Sequence, residues 1–125
     1  MKRILIADSE LYALRVLRMS LEKEGYVVEV CADGRQVLDS IQREAPDALI
    51  TEIEMSFMDG EALCRNIGQC MPGRVFPIFL LTSSTEIEHR EWSRTIDNLH
   101  FLEKPVSIHE LSEKLATSIT MRFAS

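Results

Sequence analysis

Five short apolar runs alternate with five amphipathic stretches along this chain, and that alternation restricts the fold more than any other feature of the sequence. Ile4 to Ala7 is a continuous apolar run between Lys2-Arg3 and Asp8, the pattern of a strand buried on both faces. From Glu10 to Glu24 the period lengthens. Ala13, Leu17 and Leu21 recur at helical spacing with Val16 and Ser20 beside them, and Gly25 follows as a stop, so a first helix is expected there. Leu11, Leu14 and Met19 fall partly off that stripe and read either as scattered surface apolars or as a contact face.

The pattern then repeats. Tyr26 to Val30 is rich in β-branched residues and predicts a second strand, after which Asp33 can cap a helix from about Gly34 to Glu44, closed by Ala45-Pro46. Ala48, Leu49, Ile50 and Ile53 mark a third strand, and Met58-Asp59-Gly60 turns into a third helix with Leu63 and Ile67 inward. Pro72-Gly73 ends it. Val75 to Leu81 reads as a doubly buried fourth strand, with Pro77 at its start because proline cannot donate inside a ladder. Overlapping capping boxes, Ser83 with Glu86 and Thr85 with Glu88, start a fourth helix near Ser84 that runs to about Ile96. Leu99 to Leu102 is the fifth strand, and Ile108, Leu111, Leu115, Ser118, Ile119 and Arg122 outline a fifth helix.

Parallel neighbours need crossover helices, so this order predicts a parallel sheet with helices on both faces. Five right-handed βα units give a doubly wound sheet in the order 2-1-3-4-5, whose ligands bind beyond the carboxyl ends of the strands. A chain of 125 residues suits one domain, taken here as residues 1–125, without metal or disulfide staples. The net charge of -6 disfavours a nucleic-acid surface. Cys31, Cys64 and Cys70 form no CxxC pair, which fits a reducing compartment. The N-terminal apolar run is too short for a signal peptide, and no run approaches the roughly 18 residues of a membrane span. A cytoplasmic protein without membrane contact is therefore expected.

At the strand ends stand Asp8 and Ser9, then Glu52 with Glu54 nearby, then Thr82 and Ser83, and finally Lys104. Carboxylates can bind Mg2+ or attack phosphorus, while lysine and threonine neutralise or hydrogen-bond phosphoryl oxygens. No glycine-rich or aromatic-rich loop supports a flavin, and the histidines His89, His100 and His109 show no mutual ligand spacing.

These residues carry a family resemblance over essentially the whole chain. ILIADSE at Ile4 to Glu10, PDALITEIEMSFMDG at Pro46 to Gly60, FLLTSS at Phe79 to Ser84 and FLEKP at Phe101 to Pro105 resemble a response-regulator receiver domain of two-component signalling. The resemblance implies a flavodoxin-like α/β fold. It also implies an acidic pair for Mg2+, a strand-three Asp that accepts phosphate from a histidine kinase, a switch hydroxyl and aromatic, and a lysine that pairs with the phosphoryl group. Asp8 matches the first acid, Thr82 the switch hydroxyl, Phe101 the switch aromatic and Lys104 the amine. Ser9 stands in place of the second acid, Glu52 in place of the acceptor Asp, and Ser56-Phe57 in place of Pro-Gly.

Each departure has a physical consequence. The neutral Ser9 hydroxyl removes a charged Mg2+ ligand, so metal binding should be weak, with Asp8 and Glu54 as the residual candidates. Glu52 carries one methylene more than Asp, moving its carboxylate by roughly 1.5 Å. A misplacement of about 1 Å can already cost ~100-fold in rate. Glu52 either reaches toward Lys104 and Thr82 as a fixed partial imitation of an aspartyl phosphate or pairs with Lys104 for local stability alone.

The expected function is a phosphorylation-independent interaction module, with no enzymatic activity and no cofactor. Its protein partners (an output domain, a kinase or another regulator) would bind the face formed by helix four, strand five and helix five, where Trp92 and Phe101 lie. A homodimer is an open alternative, as is a working phosphoacceptor that uses Glu52 with a weakened Mg2+ site.

Overall fold

The computed structural model describes residues 2–8, 11–55, 57–82, 91–104 and 106–124. The strands β1 (Arg3–Ala7), β2 (Val27–Cys31), β3 (Ala48–Glu52), β4 (Ile78–Thr82) and β5 (Leu99–Glu103) form one sheet in the order β2-β1-β3-β4-β5. Every neighbouring pair is parallel, with Ile6 opposite both Val30 and Ile50, and Phe79 opposite both Ile50 and His100. The helices are α1 (Leu11–Lys23), α2 (Gly34–Arg43), α3 (Gly60–Cys70), α4, of which residues 91–93 are described, and α5 (Ile108–Ala124). The expected architecture is thus the observed one.

Strand alternation divides the core in two. Ile4, Ile6, Ile50, Phe79 and Leu102 face Leu21 of α1 and Leu111, Leu115 and Ile119 of α5. Leu5, Leu49, Ile78 and Leu80 face Val37 and Ile41 of α2 and Leu63 and Ile67 of α3, with Trp92 at the border of that layer. Because both faces are covered, the three inner strands are apolar almost throughout, which is why their runs were readable without a period.

The Asp33 cap matches its sequence signal, and Asp59, read from the sequence as part of a turn, caps α3 as well. The Asp33 carboxylate accepts the N–H groups of Arg35 and Gln36 at 2.9 and 3.1 Å, and that of Asp59 accepts the N–H of Ala62 at 2.8 Å. Gly25, at φ 98°, ends α1 in the left-handed conformation that glycine tolerates.

Some expectations need correction. Val16 is 56 % exposed and not part of the core stripe. At 100° per residue it lies well to one side of Leu17 and Leu21, the residues that point at the sheet. Met19 is exposed too, as its off-stripe position implied, while the side chains of Leu11 and Leu14 lie outside the described set. Val75 is 62 % exposed and precedes β4, which begins only after Pro77. The Pro77 carbonyl accepts the N–H of Leu49 at 3.0 Å, so the proline contributes an acceptor to the ladder and withholds no donor from it. Helix α4 ends by residue 93, about three residues before Ile96; the Thr95 hydroxyl donates to the Trp92 carbonyl at 3.0 Å as the chain turns off. The start of α4 and its capping residues lie outside the described residues. Among the described residues, no helix is long and apolar enough to cross a membrane.

Candidate functional site

The doubly wound topology brings four chain segments to one rim. Asp8 follows β1, Glu52 ends β3, Thr82 ends β4 and Lys104 follows β5. The register that pairs Ala7 with Thr51 sets Asp8 beside Glu52, and the N–H of Asp8 continues the β1–β2 ladder to the Cys31 carbonyl at 3.3 Å. On the other side, the N–H of Lys104 donates to the Thr82 carbonyl at 2.8 Å, which extends the β4–β5 pairing by one step and fixes where the lysine side chain starts.

From that position the Lys104 ammonium forms an ion pair with the Glu52 carboxylate through Nζ and Oε1. The side chains are 27 % and 8 % exposed, so the carboxylate is nearly enclosed while the lysine reaches it from the surface. A carboxylate this buried is costly unless paired, and Lys104 supplies the compensating charge. Asp8, 4 % exposed, makes the same rim acidic from β1.

The backbone beneath Glu52 is held firmly. The Thr51 hydroxyl donates to the Glu52 carbonyl at 3.1 Å, and the N–H of Ile53 donates to Leu81 at 3.2 Å. The loop then folds back so that the N–H of Gly60 reaches the Ile53 carbonyl at 2.6 Å. A Cβ at Gly60 would lie 2.8 Å from Ile53 Cα and 2.9 Å from the Glu52 carbonyl oxygen, which leaves room for glycine only.

The remaining predicted site residues are placed as follows. Thr82 and Phe101 are both partly buried, and Phe101 packs against Trp92 edge to face with centroids 6.3 Å apart. Trp92 is half-buried; its indole N–H is enclosed and meets no acceptor among the described residues. Glu54 is exposed on the loop because β3 stops at Glu52, so the alternation that would have put both acids on one side is broken. Ser9, together with Glu10, lies outside the described residues. Among the described residues, no three His, Cys, Asp or Glu side chains come together as a metal-binding group.

His100 stacks on Phe79 at 5.0 Å and bonds Asn98 at 3.0 Å, and burial together with Lys114 holds its pKa below the usual imidazole value. His109 pairs with Glu113 at 3.0 Å on the surface of α5, and His89 lies outside the described residues. The cysteines are free, and burial pushes the thiols of Cys31 and Cys64 up to about 11 and about 12.

Two features were missed from the sequence. A cleft of about 460 Å³ opens beside Lys104, lined by Leu102, Glu103, Val106 and Glu110. Phe57 has φ 68° and is 79 % exposed, although a left-handed residue is usually glycine or asparagine. The departure from Pro-Gly at Ser56-Phe57 was the available signal for the second feature; none marked the first.

A five-stranded, doubly wound α/β domain with acids, a hydroxyl and a lysine at its strand ends is the architecture of a two-component signalling receiver. Residues 4–116 match the response regulator receiver domain family, and the chain belongs to that family. It is 33 % identical over 113 residues to the response regulator MprA of Mycolicibacterium vanbaalenii, covering 90 % of this chain and 48 % of that protein. It is 32 % identical to MprA of Mycobacterium bovis, covering 98 % of this chain and 57 % of that protein. The chain thus spans about half the length of the curated relatives it matches. Among solved structures, a CheY-like receiver domain protein from Methanospirillum hungatei superposes with a TM-score of 0.88 at 27 % identity, covering 98 % of this chain and 96 % of that one. The receiver domain of a signal transduction histidine kinase from Syntrophus aciditrophicus gives 0.87 at 26 %, covering 100 % and 95 %.

Proposed function

We propose that residues 1–125 form a single receiver domain that acts as a phosphorylation-independent protein-interaction module in signal transduction. The observation that carries this reading is the ion pair between Lys104 and Glu52. In the family the lysine pairs with the phosphoryl group on Asp; here the longer Glu52 carboxylate engages Lys104 directly. Glu52 imitates that group only in part, since it carries one charge and two acceptor oxygens where a phosphoryl group brings nearly two charges and three oxygens.

In this reading the pocket of Asp8, Ser9, Glu52, Thr82 and Lys104 has kept the outline of a phosphorylation site without its chemistry. The domain needs no Mg2+, performs no catalysis and works in the cytoplasm. Thr82 and Phe101 hold one arrangement, and a partner protein (an output domain, a kinase or another regulator) reads the face built by α4, β5 and α5. The packing of Phe101 on Trp92 supports that face as the rigid part of the surface.

The test is incubation with acetyl phosphate and Mg2+ followed by intact mass measurement. The expected result is an unmodified chain; a stable phosphoryl adduct on Glu52 defeats the proposal. A second reading, a weak phosphoacceptor that uses Glu52, is favoured by one observation: buried Asp8 stands at the strand end adjacent to Glu52. The adduct is its positive outcome.

A further inference from the structure

The loop between β3 and α3 meets the first turn of α2 at two points. The Arg35 guanidinium lies over the Phe57 ring with its carbon 4.2 Å from the centroid. Met58, the next residue, fills the space above Gly34 so closely that a Cβ added there would lie 3.0 Å from both Met58 Cβ and Sδ. Each contact is tied back to its own helix. Asp33 caps Arg35 through the backbone and lies 3.8 Å from its guanidinium, while Asn66 of α3 reaches Met58 Sδ with its amide nitrogen at 3.5 Å.

Phe57 is the reason these contacts matter. Its φ of 68° is unfavourable for a residue with a side chain, and such a conformation persists only where the surroundings determine it. With most of the ring in solvent, Arg35 is the side chain that covers it among the described residues.

We propose that Arg35–Phe57 and Gly34–Met58 form a latch that couples the β3–α3 loop to the N-terminus of α2, so that displacing one side loosens the other. The latch sits on the rim that carries Glu52, and it acts whether or not Glu52 accepts phosphate. Because coupling is reciprocal, a partner that draws Arg35 away frees the loop, and one that moves the loop frees the start of α2.

Hydrogen exchange read by mass spectrometry on the full chain tests this. Arg35 is mostly exposed, so Arg35→Ala leaves the core intact. The expected result is a roughly two- to fivefold faster exchange at residues 57–62, the size of one exposed cation–π contact. Phe57→Leu should speed exchange at residues 35–37 by a similar factor, and Gly34→Ala should loosen the loop from the α2 side without touching the stack. Arg65→Ala, which removes only the surface pair with Glu61 at 3.0 Å on α3, serves as the control. The latch is overturned if each variant changes exchange only in its own segment, or if Arg65→Ala has the same effect as Arg35→Ala.

Discussion

Lys104 and Glu52 lie 52 residues apart in the sequence and form an ion pair at the rim of the sheet, with the carboxylate nearly enclosed and the ammonium reaching it from the surface. The pairing rests on register: β3 delivers Glu52 as its last residue, and the hydrogen bond from Lys104 to Thr82 delivers the lysine one step past β5.

Removing the cation leaves the acid stranded. Lys104→Met is expected to destabilise the domain by about 2–4 kcal/mol, toward the lower end of buried pairs because part of Lys104 is exposed. Glu52→Gln should cost less, since the lysine can turn to solvent. A double-mutant cycle in urea measures the coupling, and additive single effects would show that the pair contributes nothing.

Glu52→Asp alone is expected to leave the chain unmodified by acetyl phosphate, because Ser9 still denies Mg2+ a carboxylate. Ser9→Asp combined with Glu52→Asp is expected to restore Mg2+-dependent labelling. Full labelling of the single variant would remove Ser9 from the argument.

Trp92→Phe deletes the enclosed indole N–H that meets no acceptor among the described residues, and keeps most of the ring contact with Phe101. An unsatisfied buried donor costs about 1–3 kcal/mol, enough to offset the lost ring area. The variant should therefore match the parent in thermal midpoint or exceed it, whereas Trp92→Ala should lose about 2–3 kcal/mol. A Trp92→Phe protein as unstable as Trp92→Ala would mean that the N–H is satisfied.

His100 gives a pH dependence with a definite sign. Its folded pKa is depressed, by burial first and Lys114 second, so the unfolded chain takes up the proton earlier as pH falls. The stability it contributes is present above about pH 6.5, the unperturbed imidazole value, and is lost as pH falls through the folded pKa. The difference in stability between the parent and His100→Phe, followed from pH 7.5 to about 5, should shift in favour of the variant. A constant difference would show that His100 titrates alike in both states.

Much of this was legible because a doubly covered parallel sheet writes itself into the chain as apolar runs, and because a cap such as Asp33 and a turn such as Met58-Asp59-Gly60 act through their nearest neighbours. The convergence of Asp8, Glu52, Thr82 and Lys104 followed from topology alone. The failures have a shared cause. Val16 and Val75 are apolar, and no local pattern says that nothing packs on them; burial depends on elements far away in sequence. The departure from Pro-Gly marked the Phe57 loop as unusual but not what covers it, since that guanidinium comes from Arg35 on α2.

The strand order has a consequence for how the domain is made. Since β1 lies between β2 and β3, the first 52 residues contain three adjacent strands, and β4 and β5 then add in turn to one open edge. A chain leaving the ribosome can therefore lay down its sheet in order of synthesis, with no later strand needing to wedge between earlier ones. Lys104 is the last of the four rim residues to emerge, so Glu52 waits as a bare acid until β5 has joined the sheet. Closure of that pair comes with the last strand, before α5 brings Leu111, Leu115 and Ile119 onto the sheet.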